Sequence, residues 1–337
     1  MNRVFVYGLG AVSPAGWGVG ALCDVVKRQE PVATKTLARP GWEMPFIIRQ
    51  VPAPAMRPAF LTHARLRRAN LISQFTVAAA LEALGDDMAS VSNGSLRLGI
   101  VMCVMAGSVA YSRRFFEETM RDPTTASPLI FPETVFNAAA SHLAAYLGCP
   151  GINYTIVGDE STFVQGLAIA ADWLLAGKCD GCVVIAAEEM DWIVSDAVRL
   201  FDRQSIHSDG AGALYLKSEI RSPRSEVELA SITDSFPFTK LQTRSGAARC
   251  VREQLAADDN QLLCDSDTVH ERKLWKDWRG HRISIKPLLG EAFSASAAWQ
   301  CIVACDSLQH GDFAAANVSV VGANQAAIGA RFIKANL

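Results

Sequence analysis

The sequence predicts an α/β protein in which helices cover both faces of a mostly parallel sheet. First, apolar strands such as "LRLGIVMCVMAG" and "CVVIAAEE" lack polar alternation, which indicates burial on both faces. Second, alanine-rich helices separate these strands. Third, the same alternation resumes after a polar stretch near residue 220, which suggests two similarly built halves. Together these observations predict a layered α/β architecture.

The elements of the first half, residues 1–220, follow in order. Its predicted strands are "RVFVYGLGAV", "LRLGIVMCVMAG", "INYTIV", "CVVIAAEE" and "DGAGALYLKSE". Its predicted helices lie near Leu66 to Leu84, Asn137 to Leu147 and Thr162 to Ala176. The proline-rich "RQVPAPAMRPAF" is predicted to be a surface loop that leads to a basic helix.

The second half, residues 221–337, begins in the polar seam "IRSPRSEVE". Its predicted strands are "VELASITDSF", "QLLCDS", "HRISIKPLL" and a pair within "NVSVVGANQAAIGARFIKA". Its predicted helices are "TRSGAARCVREQLAA" and "AFSASAAWQCIVACDSLQHG".

Composition narrows the class of protein. The chain has 337 residues, 50% of them hydrophobic, and a net charge of -2, which favours a large globular core over a basic nucleic-acid binder. No apolar run reaches the roughly 18 to 20 residues of a membrane span, and the first residues do not resemble a signal peptide, so we expect a cytoplasmic protein.

The nine cysteines fit reduced core thiols better than a disulfide framework, because they are odd in number and scattered along apolar segments. Cys179 and Cys182 have the spacing of a redox or zinc pair but lack a second ligand pair. We therefore expect no metal and no cofactor.

Glu160 lies at the turn between a predicted strand and a long helix. Many α/β enzymes place a nucleophile at such a turn, because unpaired N–H groups and the helix dipole stabilise an anion there. The alternative is an acidic residue of the first turn, with Asp159 or Ser161 capping the helix. The local pattern leaves both interpretations open.

Several segments, in order and spacing, resemble the β-ketoacyl synthases, the condensing enzymes of the thiolase superfamily. The opening strand and turn "VFVYGLGAVSPAGWGV" is similar to theirs, as are "FPETVFNAAASHLAAYLGCPGINYTIV", "DGAGALYLK", "ISIKPLLGEAFSASAAWQCIVACDSLQHG" and "VGANQAAI". The resemblance spans nearly the whole chain. It implies an α/β, thiolase-like layered αβαβα fold built from two similar halves.

The chain departs from that family at each catalytic position. The family's nucleophilic cysteine aligns with Glu160, and its second histidine aligns with Glu291. Its lysine is retained as Lys286, whereas Ser266 stands near the place of the first histidine and His270 is out of register. The resemblance therefore implies that no catalytic set is intact.

A carboxylate is a poor substitute for the thiol. Acyl transfer from a thioester to Glu160 would form a mixed anhydride, which is uphill and prone to hydrolysis. Glu160 is expected to occupy the oxyanion hole without carrying an acyl chain. The spacing of Lys286 and Glu291 suggests that Glu160 or Glu291 pairs with Lys286 in an inert bridge.

Because ketosynthases are two-fold dimers, a member without its catalytic set resembles a chain-length factor, the inactive subunit of a heterodimer. The resemblance implies an active β-ketoacyl synthase as partner and, more narrowly, a bacterial aryl polyene pathway. Residues that would wall the acyl tunnel are Ala110, Tyr111, Phe115, Phe131 and Val135, although these side chains could simply pack the subunit core.

A basic cluster is expected to meet an acidic partner. Arg65, Arg67 and Arg68 lie where condensing enzymes present arginines to an acyl carrier protein, although a solvated helix face would have the same pattern. Two other functions compete with the chain-length factor. One is a decarboxylating ketosynthase-like enzyme that makes a starter acyl carrier protein, and the other is a scaffold homodimer without an acyl ligand.

Overall fold

The computed structural model describes residues 3–218, 227–255, 261–311 and 313–335. Within these ranges the strands are β1 (Phe5–Ser13), β2 (Gly16–Trp17), β3 (Lys35–Leu37), β4 (Phe46–Arg49), β5 (Leu98–Val104), β6 (Asn153–Val157), β7 (Gly181–Glu188), β8 (His207–Ser208), β9 (Gly210–Lys217), β10 (Val227–Ile232), β11 (Phe236–Pro237), β12 (Leu262–Asp265), β13 (Arg282–Ser284), β14 (Ala315–Val321) and β15 (Ala326–Lys334).

The α-helices of the same ranges are α1 (Val19–Arg28), α2 (Leu71–Leu84), α3 (Met88–Ser92), α4 (Val109–Arg121), α5 (Ala138–Leu147), α6 (Thr162–Leu175), α7 (Trp192–Val198), α8 (Arg244–Leu255), α9 (Val269–Leu274), α10 (Lys286–Leu289) and α11 (Ser294–Gln309).

The strand order repeats between the two ends of the large sheet. The order is β13-β12-β14-β15-β10-β1-β9-β7-β5-β6, so that β1 and β10 pair in the middle. Outward from that pair, the first half contributes β1, β9, β7, β5 and β6, and the second half contributes β10, β15, β14, β12 and β13. Within each half, these are the first, fifth, fourth, second and third strands of the sheet in chain order, when the two-residue strands β2 and β11 are left out. In both ends the second strand is parallel to its two neighbours, and the fifth is antiparallel to the first and the fourth. The chain thus has the expected architecture of two similar halves.

The sheet is covered by helices on both sides, because side chains along each strand alternate between two cores. In β7, Val183 and Ile185 face a core that includes α2 and α5, whereas Val184 faces a core that includes α6 and α11. That second core also contains residues of β12, β14 and β15, and α8 packs on the outer side of β15. The result is five layers in the order α, β, α, β, α.

The first strand shows why glycine is needed in one of these layers. A Cβ atom built on Gly8 or Gly10 would lie 1.9 Å from the carbonyl oxygen of Ala83 or Ala79 in α2. Only glycine allows β1 and α2 to approach this closely.

Two predicted elements differ from the structure. The "HRISIKPLL" strand ends at Ser284, and Lys286 opens the short helix α10, because Pro287 has no N–H to donate to a neighbouring strand. The basic segment before α2 is a separate 3-10 turn, and α2 begins only after Asn70, whose side chain accepts the N–H of Ser73.

The proposed division between residues 220 and 221 lies outside the described residues and stays a prediction. In the part of the chain that the structure describes, no helix is both long and apolar enough to cross a bilayer.

Candidate active site

Two turns and a short helix bring together three positions that the resemblance aligns with the family's catalytic region. Glu160 follows β6 and immediately precedes α6, while Lys286 begins α10 and Glu291 follows it. The turn between β14 and β15 closes the site from another side. The three named side chains come from both halves of the chain.

Lys286 binds both carboxylates. Its Nζ lies 3.3 Å from Oε1 of Glu160 and also forms an ion pair with Glu291. The Glu160 and Glu291 side chains are 4% and 7% exposed, and that of Lys286 is 15% exposed. The pairing that the sequence suggested is therefore present, and it involves both acids.

Glu160 also satisfies backbone donors. Its Oε2 accepts the N–H of Ala323, at 2.8 Å, and its carboxylate is further stabilised by its own backbone N–H. Backbone N–H groups of this kind could stabilise a developing oxyanion. Here they are bonded to the Glu160 carboxylate, and its occupation of an oxyanion hole stays a prediction.

The neighbouring Asp159 fixes the turn that supplies Ala323. Its Oδ2 accepts the N–H groups of Asn324, at 2.9 Å, and Gln325, at 2.7 Å, while its Oδ1 accepts from the backbone and hydroxyl of Ser161. A Cβ atom on Gly322 would lie 2.3 Å from the same carboxylate. Asp159 thus joins the start of α6 to the β14–β15 turn.

Burial and charge act on the pKa values of this cluster. Burial raises the pKa of Glu160 above its usual range, Lys286 opposes that shift and Glu291 adds to it. Burial lowers the pKa of Lys286, but the carboxylates of Glu291 and Glu160 outweigh burial, so the pKa of Lys286 is raised. The lysine stays protonated and neutralises acids that would otherwise be unpaired in the core.

The place assigned to the family's first histidine is also filled by a buried pair. Ser266 follows β12, and its Oγ accepts a hydrogen bond of 2.6 Å from Nε2 of Gln300. His270 lies on α9, where its Nδ1 is 2.9 Å from Oγ of Ser245. A role for Ser266 at that position stays a prediction.

The candidate tunnel residues lie on or near α4. Ala110, Tyr111 and Phe115 are half-buried on α4, and the Tyr111 hydroxyl donates to the carbonyl oxygen of Arg68, at 2.7 Å. Phe131 and Val135 follow α4 and are 56% and 43% exposed. The alternative interpretation, that these side chains simply pack the subunit core, is therefore wrong for Phe131 and Val135.

The candidate carrier-protein residues are exposed. Arg65 precedes a 3-10 helix that contains Arg67 and Arg68, and none of the three has an acidic partner within the described ranges. They lie on one surface turn, but on a turn that is separate from α2.

Sequence reasoning missed several buried polar groups near the site. His207 is buried, pairs through its backbone with Glu291, and has Nδ1 3.3 Å from Oγ of Ser195. Burial lowers the pKa of His207. Glu188 and Glu189 are buried at the end of β7, which the acidic end of "CVVIAAEE" could have indicated.

Burial raises the pKa of both of these acids, to about 8 for Glu188 and about 7 for Glu189. Burial likewise raises the pKa of Glu271 to about 8, with a further increase from Asp265. Lys286 is near enough to Glu271 to oppose that increase. Of these three acids, Glu271 is thus the one with an electrostatic link to the Lys286 cluster.

These features define a thiolase-like fold. Three solved structures share it over nearly the whole chain. The ishigamide ketosynthase/chain length factor has 18% sequence identity and a TM-score of 0.80, and the match covers 99% of this chain and 100% of that chain. AntDE:AntF, a type II PKS acyl-carrier protein in complex with its ketosynthase bound to the hexaketide, has 17% identity and a TM-score of 0.82, with 99% of this chain and 100% of that chain covered. A β-ketoacyl synthase from Burkholderia phymatum STM815 has 16% identity and a TM-score of 0.80, with both chains covered to 100%.

The family model of the β-ketoacyl synthase N-terminal domain matches residues 1–214. The chain therefore belongs to the β-ketoacyl synthase family. Among curated proteins, none matches its sequence significantly.

Proposed function

We propose that this chain is the non-catalytic, chain-length-factor-type subunit of a heterodimeric ketosynthase. The observation that carries the proposal is Glu160 at the nucleophile position, paired with Lys286 and bonded to the N–H of Ala323. Both oxygens of this carboxylate already have a partner. An acyl thioester would have to displace those partners and would then yield a mixed anhydride.

The edge strand β6 supports an obligate partner. It ends the sheet, and Ile152, Tyr154 and Val157 on or beside it are 39%, 53% and 47% exposed. Exposed apolar sheet edges favour pairing with another chain, and soluble proteins usually protect them. A second subunit of the same fold, with an intact cysteine, would cover this edge by adding its own strand.

Further apolar side chains are exposed in the loop after α4. Leu129, Phe131, Val135 and Phe136 are 43% to 74% exposed there. In a heterodimer these side chains would become buried and would reach the partner's acyl tunnel together with Ala110, Tyr111 and Phe115. A bulky side chain at position 110 would then stop a growing chain early.

A transient carrier-protein contact completes the proposal. The exposed Arg65, Arg67 and Arg68 would attract an acidic acyl carrier protein and increase its rate of association. We assign the complex to a type II polyketide or fatty-acid-like pathway, and to the aryl polyene pigments as the finer proposal.

Reconstitution tests the proposal. The chain should co-purify at equal stoichiometry with a cysteine-bearing synthase, and only the pair should condense malonyl and acyl carrier-protein substrates. Glu160→Ala should leave that condensation largely intact, whereas cysteine to alanine in the partner, the matched control, should abolish it.

Two outcomes would contradict the proposal. Acylation and malonyl extension by the isolated chain would make it an enzyme in its own right. Acetyl carrier protein formed from malonyl carrier protein by the chain alone would favour a decarboxylating enzyme. If the complex forms, Ala110→Phe should shorten the product, as read by mass spectrometry of the carrier-bound acyl chains.

A further inference from the structure

The helix that carries the candidate tunnel residues has little apolar anchorage of its own. None of the thirteen residues of α4, all of them described, is fully buried. Phe116 and Met120 on this helix are 64% and 70% exposed. Because packing of an apolar face provides most of a helix's stability in a protein, other contacts must hold α4 in place.

An acidic segment at the end of β7 provides those contacts. Oε1 of Glu189 accepts the N–H of Ala110 in the first turn of α4, at 2.8 Å, and Oε2 lies 3.4 Å from the N–H of Ile72 in the first turn of α2. Ser108, at the N-cap position of α4, makes no capping bond, and its hydroxyl instead pairs with Asn70. The Glu189 carboxylate therefore takes the place of the missing N-cap side chain.

A second contact lies one turn further along the helix. Nε of Arg113 donates to Oδ2 of Asp191, at 3.1 Å, and the side chain of Asp191 is 6% exposed. Oδ1 of the same carboxylate accepts the N–H of Ile193 and so caps α7. The position of α4 is thus tied to the end of the central strand β7 at two points, Glu189 and Asp191.

We propose that Glu189 and Asp191 are positioning residues that set where α4 lies, and with it the length of acyl chain that the paired tunnel accepts. The inference rests on the proposed function, since the tunnel belongs to the heterodimer. It adds that residues without any contact to the acyl chain determine product length, because they fix the helix that carries Ala110 and Tyr111.

The chain offers a matched pair of variants on α4. Arg113→Gln removes the ion pair with Asp191 together with an ion pair with Glu117 within the helix, whose atoms are 3.1 Å apart. Arg114→Gln removes only a comparable ion pair within the helix, with Glu118, whose atoms are 2.9 Å apart. Arg113→Lys keeps the charge and should restore the contact. The three variants are compared with the unaltered chain, alone and in complex with its synthase.

Amide hydrogen exchange of residues 109–121 is the first measurement. Loss of one charge-assisted hydrogen bond should accelerate exchange about tenfold in Arg113→Gln, with little change in Arg114→Gln and recovery in Arg113→Lys. Equal protection in Arg113→Gln and the unaltered chain, or equal loss in Arg114→Gln, would overturn the anchor.

The distribution of product lengths is the second measurement. Arg113→Gln should broaden that distribution, and Arg114→Gln should not. Faster exchange with an unchanged distribution would overturn the link between helix position and chain length. Absence of any complex would instead refute the proposed function, while exchange of the isolated chain would still test the anchor.

Discussion

The substitution Lys286→Met tests whether Glu160, Lys286 and Glu291 form a structural ion cluster. It removes the cation that faces Glu160 and Glu291 but keeps a flexible side chain of similar length. Two carboxylates would then be left in a region where all three side chains are at most 15% exposed. We expect a large loss of stability, and under the proposed function we expect condensation by the assembled complex to continue.

The magnitude follows from the geometry. At 3.3 Å, the gross attraction of Lys286 for Glu160 is about 5 kcal/mol with an effective dielectric constant of about 20. Desolvation offsets much of it, but removal of one partner of a buried pair typically costs about 3–5 kcal/mol. For 337 residues, with an unfolding entropy of about 2.1 cal/mol/K per residue, the melting temperature should fall by about 4–7 °C.

Calorimetry of the purified chain at pH 7, with and without its partner, measures this change. The control is the triple variant Glu160→Gln, Lys286→Met, Glu291→Gln, which removes the acids along with the lysine and should recover most of the lost stability. A melting temperature within about 1 °C of the unaltered chain for Lys286→Met would refute the reasoning, as would a triple variant less stable than the single one.

Three further predictions concern other parts of the molecule. Burial raises the pKa of Glu188 and Glu271 to about 8, so between about pH 5 and 8 the folded chain holds protons that the unfolded chain releases. Stability should therefore fall over that range by about 1.4 kcal/mol per pH unit for each retained proton and level off above about pH 8. Glu271→Gln should flatten this decline in calorimetric scans, and a curve unchanged by that variant would contradict the assignment. Tyr154→Lys on the exposed edge of β6 should change the stability of the isolated chain by less than about 1 kcal/mol. The same variant should no longer co-elute with the synthase on size exclusion. Co-elution in normal yield would argue against this edge as the interface. Asp159→Ala removes the acceptor of the part-buried hydrogen bonds from the N–H groups of Asn324 and Gln325 and should cost about 1–2 kcal/mol, with faster amide exchange confined to that turn; global loss of protection would indicate a different role.

Much of the site could be predicted because its residues lie next to strong local signals. Glu160 sits between a run of apolar strand residues and a long helix, so its place at a turn follows from periodicity alone. Its pairing with Lys286 needed the family's spacing as well, because the two residues are separated by 126 positions and nothing local connects them.

Other features were out of reach of sequence reasoning. The contacts of Glu189 and Asp191 with α4 join segments some eighty residues apart, through the backbone N–H of Ala110 and the side chain of Arg113, and no local pattern connects them. His207 was not predicted either, since its burial depends on the pairing of its strand with Glu291. The helix expected from Leu66 was wrong at its start, because Asn70 caps α2 and separates it from the basic turn.

By itself, the sequence determined the alternation of strands and helices and the repeated halves, and it predicts the loss of thiol and imidazole chemistry, because these depend on residue type and period along the chain. Only the tertiary structure decided that both acids share one lysine, that a backbone N–H fills the remaining position on Glu160, and that α4 and β6 present apolar side chains to solvent. Contacts of that kind depend on how distant segments meet. The degree of burial then sets the free-energy cost of each charge that is left without a partner.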